Sequence, residues 1–140
     1  WPPKFNDLIF MFQKELGEKV IGEYLTSNYG RLSILSKYRL ILLEKFLVSP
    51  NCFFPKPKIM SLVLHLRPND KKYCNIKKIE NLEKITNIFF SNKRKMINKS
   101  IKKILNANEI DKIKNINLNS RPSEIAPEIY YKITEMFEKK

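Results

Sequence analysis

Histidine, cysteine and glycine are scarce in this chain of 140 residues, which holds one, two and three of them. With His65 alone, no histidine pair is available as base and partner or as a metal set, so His65 reads as a structural strand residue. Cys52 and Cys74 are too few and too far apart for a disulfide framework or a zinc site, which fits a reducing cytosol and a cytoplasmic protein. Gly17, Gly22 and Gly30 are scattered and form no glycine-rich loop. No apolar run is long enough to cross a membrane, and neither a signal-peptide pattern nor a repeat is present.

Acidic residues are also in the minority. Lys and Arg number 27 against 14 Asp and Glu, giving a net charge of +13, which suits a polyanionic partner. A chain this rich in Lys, Ile and Asn also bears the mark of AT-rich coding, so the distribution of charge is the better witness. Residues 71–140 carry 17 cations and 8 acids, whereas residues 1–70 carry 10 and 6.

The run FFPKPKIMSLVLHLRP, residues 53–68, has the clearest local logic. Pro55 and Pro57 each fix φ and remove a backbone donor, so residues 53–58 cannot enter a sheet interior and form a stiff loop. Leu62, Leu64 and Leu66 then fall on one face of a strand, with Val63 and His65 on the other. Two rings, Phe53 and Phe54, and two cations, Lys56 and Lys58, therefore stand at the mouth of a strand. Such a loop can stack a planar base and hold its phosphate, or it can plug a core while its lysines stay solvated.

Order decides between these readings. LIFMFQKELGEKVI (8–21), YGRLSIL (29–35), FFPKPKIMS (53–61), FFSNKRKMINKSI (89–101) and RPSEI (121–125) follow one another along the chain. In sequence and spacing they resemble the KsgA type of small-subunit ribosomal RNA adenine N6-dimethyltransferase, whose patterns run QKEVAxR, YGRLSV, FxPxPKVxS, FxxRRKxxRNSL and RAExLS. The departures are local. Met60 replaces a polar residue before the serine, Lys93 replaces the first arginine of RRK, and Asn98-Lys99 stands where Arg-Asn is usual. Ala126 occupies a position where a helix-capping Ser or Thr is expected, at a cost of about 1 kcal/mol.

The resemblance implies a doubly wound α/β fold that uses S-adenosylmethionine. It implies a glycine-rich loop and a ribose-binding acid for that cofactor, and an Asn-(Leu/Pro)-Pro-Tyr loop for the target amino group. None of these is found here, and Trp1-Pro2-Pro3-Lys4 has neither the Asn nor the Tyr. The expectation is a C-terminal fragment that lacks the cofactor-binding half and is inactive alone, with no catalytic, cofactor-binding or metal-ligating residue of its own.

What remains should bind RNA. Lys93, Arg94, Lys95, Lys99, Lys102 and Lys103 occur with no acid between them. On a helix over 94–106, Lys95, Lys99, Lys102 and Lys103 share one face, and Ile97, Ile101, Ile104 and Leu105 share the opposite one. Such a lysine ridge is often only a solvated face; its match to FxxRRK points to phosphate contact and steep salt dependence. Arg31 and Ser33 of YGRLS either face RNA or fix a helix N-terminus, with the structural role slightly ahead.

Periodicity predicts strands over 8–12, 40–48 and 61–67, helices over 14–24 and 31–38, a turn over 26–30 and a polar linker over 68–75. Further helices are expected over 79–91, 94–106, 109–114 and 127–138. The fold class is thus α/β: three adjacent strands from the end of a Rossmann-like class I methyltransferase sheet, the last antiparallel, followed by a small helical subdomain. Residues 1–68 would belong to the catalytic domain and 69–140 to an RNA-binding subdomain. The first strand would leave an exposed apolar edge, inviting association of a chain whose intact parent is a monomer.

The function so implied is dimethylation of two adjacent adenines near the 3′ end of small-subunit rRNA, the partner being that rRNA or a pre-ribosomal particle. Phe53 and Phe54 would pack on the target base. Arg31, Lys56, Lys58, Lys93, Arg94, Lys95, Lys99, Lys102 and Lys103 would contact RNA. Two alternatives stay open: a large-subunit rRNA adenine methyltransferase conferring antibiotic resistance, and a non-catalytic nucleic-acid-binding assembly or transcription factor on the same fold.

Overall fold

Alternating leucines make the central strand of a three-stranded sheet. In the computed structural model, which describes residues 4–69 and 75–139, β1 (Leu8–Gln13) and β2 (Leu40–Val48) both pair antiparallel with β3 (Ser61–Pro68) in the order β1-β3-β2. The flanking strands therefore run in the same direction with an antiparallel strand between them, as the family resemblance implies. Phe10 lies opposite Leu64 and Met11 opposite Val63, while β2 carries a bulge between Leu42 and Glu44. Cys74, Trp1-Pro2-Pro3, Lys140 and most of the expected linker lie outside the described residues.

Only one face of the sheet is covered. Leu62, Leu64 and Leu66 are buried there with Val20 of α1 (Lys14–Val20). Gly17 permits this close packing, since a Cβ on it would come within 2.8 Å of Leu62 Cδ2. On the opposite face Ile9, Met11 and Phe46 are exposed, as is Phe10 on the β1 edge.

Helix α1 ends at Val20, short of the expected residue 24. The Ile21 N–H closes back on the Gly17 carbonyl, and Gly22 then lies so close to the Asn28 carbonyl that no side chain fits. A turn follows, with Thr26 N–H on Glu23 O and Tyr29 N–H on Thr26 O, both 3.1 Å. It leads into α2 (Arg31–Arg39), whose N-terminus is fixed by the Ser33 hydroxyl: it accepts from Gly30 N–H at 3.0 Å and donates to Gly30 O at 2.9 Å.

The second core is helical. It gathers α3 (Ile79–Phe90), α4 (Asn98–Ile101), α5 (Ala107–Ile110) and α6 (Pro127–Phe137) around Leu82, Ile85, Phe89, Tyr130 and Ile133. Tyr29, Ile34 and Tyr38 from α2 and the turn before it belong to the same core. Three tyrosine hydroxyls join the two parts of the chain: Tyr24 donates to Glu124 O, Tyr29 to Ile125 O and Tyr131 to Ile34 O, at 2.9, 2.7 and 2.9 Å. At the far end, the Glu138 carboxylate accepts from Lys77 N–H, Lys78 N–H and the Asn81 amide, supplying α3 with the cap that Lys78 lacks.

The expected helix over 94–106 is not continuous. Ile97 N–H bonds Ser120 O and Asn98 N–H bonds Leu118 O, so neither closes a helical turn on residue 93 or 94. Helix α4 is four residues long, and turns follow it. The apolar side of that reading survives, because Ile97, Ile101, Ile104 and Leu105 are all buried. The single lysine ridge does not: Lys93, Arg94 and Lys95 sit on the turn after α3, Lys99 on α4, and Lys102 and Lys103 beyond it. The helix expected over 109–114 is instead α5, started by a reciprocal cap in which Asn106 Oδ1 accepts from Glu109 N–H and Glu109 Oε2 from Asn106 N–H.

Candidate nucleic-acid interface

The loop between β2 and β3 is short of apolar anchors and rich in fixed backbone. Ser49 caps a 3-10 turn over Pro50–Cys52 by accepting from Asn51 N–H, and Met60 O receives Lys14 N–H at 3.0 Å where the loop returns to the sheet. Phe53 is half-buried, whereas Phe54 is fully exposed, with a cis peptide to Pro55. Lys56 and Lys58 are exposed beside it. The Phe54 ring is wholly in water and gains nothing by burial within this chain, which leaves its faces open to contact.

A second site forms where the start of α2 meets the helical lobe. Arg31 donates to Asn87 Oδ1 at 3.1 Å and to Glu83 O at 3.5 Å, and both acceptors are uncharged, so its positive charge is not neutralised. Lys93 and Arg94, on the turn after α3, and Arg121 join it around a cleft of about 470 Å³. Lys19 also reaches this cleft, but it is bonded to Glu15 at 2.6 Å, and that bond holds the Glu15 carboxyl below its ordinary value. No carboxylate lines the cleft. Three of the sequence runs, YGRLS, FFSNKRK and RPSEI, thus meet at one place.

The remaining cations are not brought there. Lys95 lies on the neighbouring loop, Lys99 and Lys103 are exposed on and after α4, and Lys102 lines a separate small hollow beside α5. Lys56 and Lys58 stay with the β2–β3 loop. Arg121 and Lys19 are the cleft cations that the sequence reading did not select; the signal for Arg121 was its place at the head of RPSEI. Ser33 serves the helix N-terminus, and Arg31 combines a bond to α3 with a place in the cleft.

His65 has a partner that the sequence did not reveal. Its Nε2 lies 2.9 Å from Asp7 Oδ1, which also accepts from Arg67. The His65 hydrogen bond, aided by Arg67 and opposed by partial desolvation, holds the Asp7 carboxyl below its ordinary value. This cluster ties the strand ends together. Among the described residues no group of His, Cys, Asp and Glu could hold a metal, and no helix is long and apolar enough to cross a membrane.

Two parallel strands flanking an antiparallel one, with a small helical lobe packed beyond them, form the end of a class I methyltransferase sheet followed by a helical subdomain. The chain belongs to the ribosomal RNA adenine dimethylase family, whose model matches residues 2–139. It is 41% identical over 135 residues to ribosomal RNA small subunit methyltransferase A of Pelagibacter ubique, covering 96% of this chain and 51% of that protein. The protein of the same name from Zymomonas mobilis is 35% identical over 139 residues, covering 99% and 49%. The chain therefore spans about half the length of these curated relatives.

Among solved structures, the fold is similar to a dimethyladenosine transferase from Plasmodium falciparum, with TM-score 0.78 and 23% identity over 99% of this chain and 59% of that one. It is also similar to the 23S rRNA methyltransferase ErmE, with TM-score 0.66 and 18% identity over 97% and 56%.

The family implies S-adenosylmethionine as methyl donor. The described glycines build no phosphate cradle for that cofactor: Gly17 packs on Leu62, Gly22 on the Asn28 carbonyl, and Gly30 is the extended residue before α2.

Proposed function

We propose that the chain is the RNA-engaging half of an S-adenosylmethionine-dependent methyltransferase that dimethylates two adjacent adenines near the 3′ end of small-subunit rRNA. The family match over residues 2–139 carries this reading, with relatives named for the small subunit supplying the substrate. Residues 1–68 contribute the end of the catalytic domain and 69–140 the RNA-binding subdomain, with α2 built into both. The partner is the rRNA or a pre-ribosomal particle, in the cytoplasm. The intact enzyme acts as a monomer, whereas the bare β1 edge favours association of this chain alone.

In this role Phe54 offers a whole ring, and Phe53 a partly covered one, to an adenine swung out of its helix. Lys56 and Lys58 hold the phosphates flanking that base. Arg31, Lys93 and Arg94 clamp the backbone on one side of the lobe; Lys95, Lys99, Lys102 and Lys103 extend the positive field along it.

The test is a salt series of filter binding with a hairpin from the 3′ end of small-subunit rRNA, run beside calorimetric titration of S-adenosylmethionine. Salt-sensitive RNA binding without cofactor heat is the expected result. Changing Lys95, Lys99 and Lys103 together to Glu should abolish binding without unfolding the lobe, because all three side chains are exposed. Unchanged affinity would remove these lysines from the interface.

A further inference from the structure

The cleft at the start of α2 differs in kind from the lysines around it. A duplex backbone needs only an open positive surface, and Lys95, Lys99 and Lys103 provide one. The cleft instead is concave, with a volume of about 470 Å³, inside the roughly 300–1,000 Å³ range of small-molecule sites. It also has an apolar wall. Phe90 is half-buried, with its ring tilted against Tyr130 at 5.9 Å between centroids, and it lines the cleft together with the exposed Leu32.

Lys93, Arg94 and Arg121 stand around that wall with no carboxylate among the lining residues. An apolar plane next to converging cations is matched to a base with its own phosphate.

We propose that this cleft takes a single unpaired nucleotide of the bound RNA, its base against Phe90 and its phosphate among Lys93, Arg94 and Arg121. The inference rests on the RNA-binding reading and adds to it a second nucleotide position, separate from the Phe53–Phe54 loop. The cleft thereby recognises a structural irregularity in the RNA rather than a length of duplex. Phosphate contacts alone fix register without reading shape, whereas a nucleotide seated in a cavity selects RNA that can present one.

Gly30 supplies the discriminating variant. A Cβ on Gly30 would meet only Phe90 Cε1, at 3.8 Å, and its backbone bonds to Ser33 do not depend on a side chain. Gly30→Leu therefore fills the cleft beside Phe90 and removes no cation.

The experiment is filter binding of the whole chain to two short RNA hairpins that differ only by one bulged adenosine and lack the rRNA target loop. The bulged hairpin should bind roughly tenfold more tightly, the scale of one base stacked on an aromatic ring. Gly30→Leu should erase that difference. Arg121→Gln, at an exposed position, should weaken the bulged hairpin more than the paired one, and it serves independently if the leucine variant does not fold.

Equal binding of both hairpins by the unaltered chain would overturn the cleft assignment while leaving RNA binding in place. So would a bulge preference that survives in folded Gly30→Leu. Failure to bind either hairpin would overturn both readings together.

Discussion

Among the described residues, the helical lobe buries seventeen apolar side chains around one centre, whereas the sheet buries four and on one face only. The sheet's other face leaves Ile9 at 70% and Phe46 at 55% exposure. Residues 1–68, which hold the sheet, are the more apolar half of the sequence, so composition runs against the burial. The difference lies in partners. The lobe borrows Tyr29, Ile34 and Tyr38 from the segment before β2 and so closes its core; among the described residues the sheet is covered mainly by α1. Stability is therefore expected to be uneven along the chain, with the helical lobe as the better-determined part.

The strongest way to break that contrast is to cut into the lobe's centre. Tyr130 is completely buried and packs edge-on against Phe89 at 5.3 Å, with its hydroxyl on Pro122 O at 2.7 Å. Tyr130→Ala should cost about 3–5 kcal/mol in urea unfolding. Phe46→Ala on the bare sheet face should cost about 1 kcal/mol or less. Equal losses would mean that the two regions do not differ as their burial implies.

A milder change tests the seam between them. Tyr131→Phe removes the donor to Ile34 O, a carbonyl within α2, with an expected loss of about 0.5–1.5 kcal/mol and no change in the far-ultraviolet spectrum.

Acid should loosen one end of the lobe before its centre. Partial burial raises the Glu138 pKa, but the Lys77 N–H, the Asn81 amide and the Lys78 N–H together outweigh it, so the carboxyl lies below its ordinary value of 4.5. A group depressed in the folded state stabilises above its unfolded pKa, and that contribution is lost as pH falls through the folded one. Amide exchange in the first turn of α3 should quicken below about pH 4.5, and Glu138→Gln should flatten that dependence.

The smallest effect runs in the opposite direction. Ala126 is the N-cap of α6 with extended backbone and no capping side chain. Ala126→Ser should stabilise the lobe by about 0.5–1 kcal/mol, seen as a raised melting temperature. No gain would show that Pro127 at the first helical position already sets the start of α6.

Strands were the most legible part of the fold. The alternation at Leu62, Leu64 and Leu66, and the apolar run of β2 interrupted by Glu44 and Lys45, marked the strand bounds, whereas the pairing came from the family resemblance. Helix ends were less legible. α1 stops early through a backbone approach between Gly22 and Asn28 that no local pattern encodes. The helix over 94–106 broke because residues 118–120 take the donors of Ile97 and Asn98, a contact set by tertiary structure. One boundary was readable and missed: Asn106-x-x-Glu109 is a capping signature, and it starts α5.

At the candidate site the motif residues were visible, but their meeting was not. Arg31 and Arg94 lie far apart in sequence and meet only because α2 and α3 pack together. Arg121 arrives through Tyr24 and Tyr29, whose hydroxyls hold the neighbouring Glu124 and Ile125 carbonyls.

Those tyrosine bonds have a metrical consequence. Three hydroxyls, two reaching from the turn before α2 into the lobe and one reaching back, fix α2 to the lobe much as bolts fix the jaws of a caliper. Neither jaw can slide to suit a mismatched RNA without breaking a buried bond. Any RNA that engages the β2–β3 loop and the cleft together must supply the matching span itself. On the proposed reading, two such anchors would measure distance, and adenines would be chosen by their position along the RNA as much as by their chemistry.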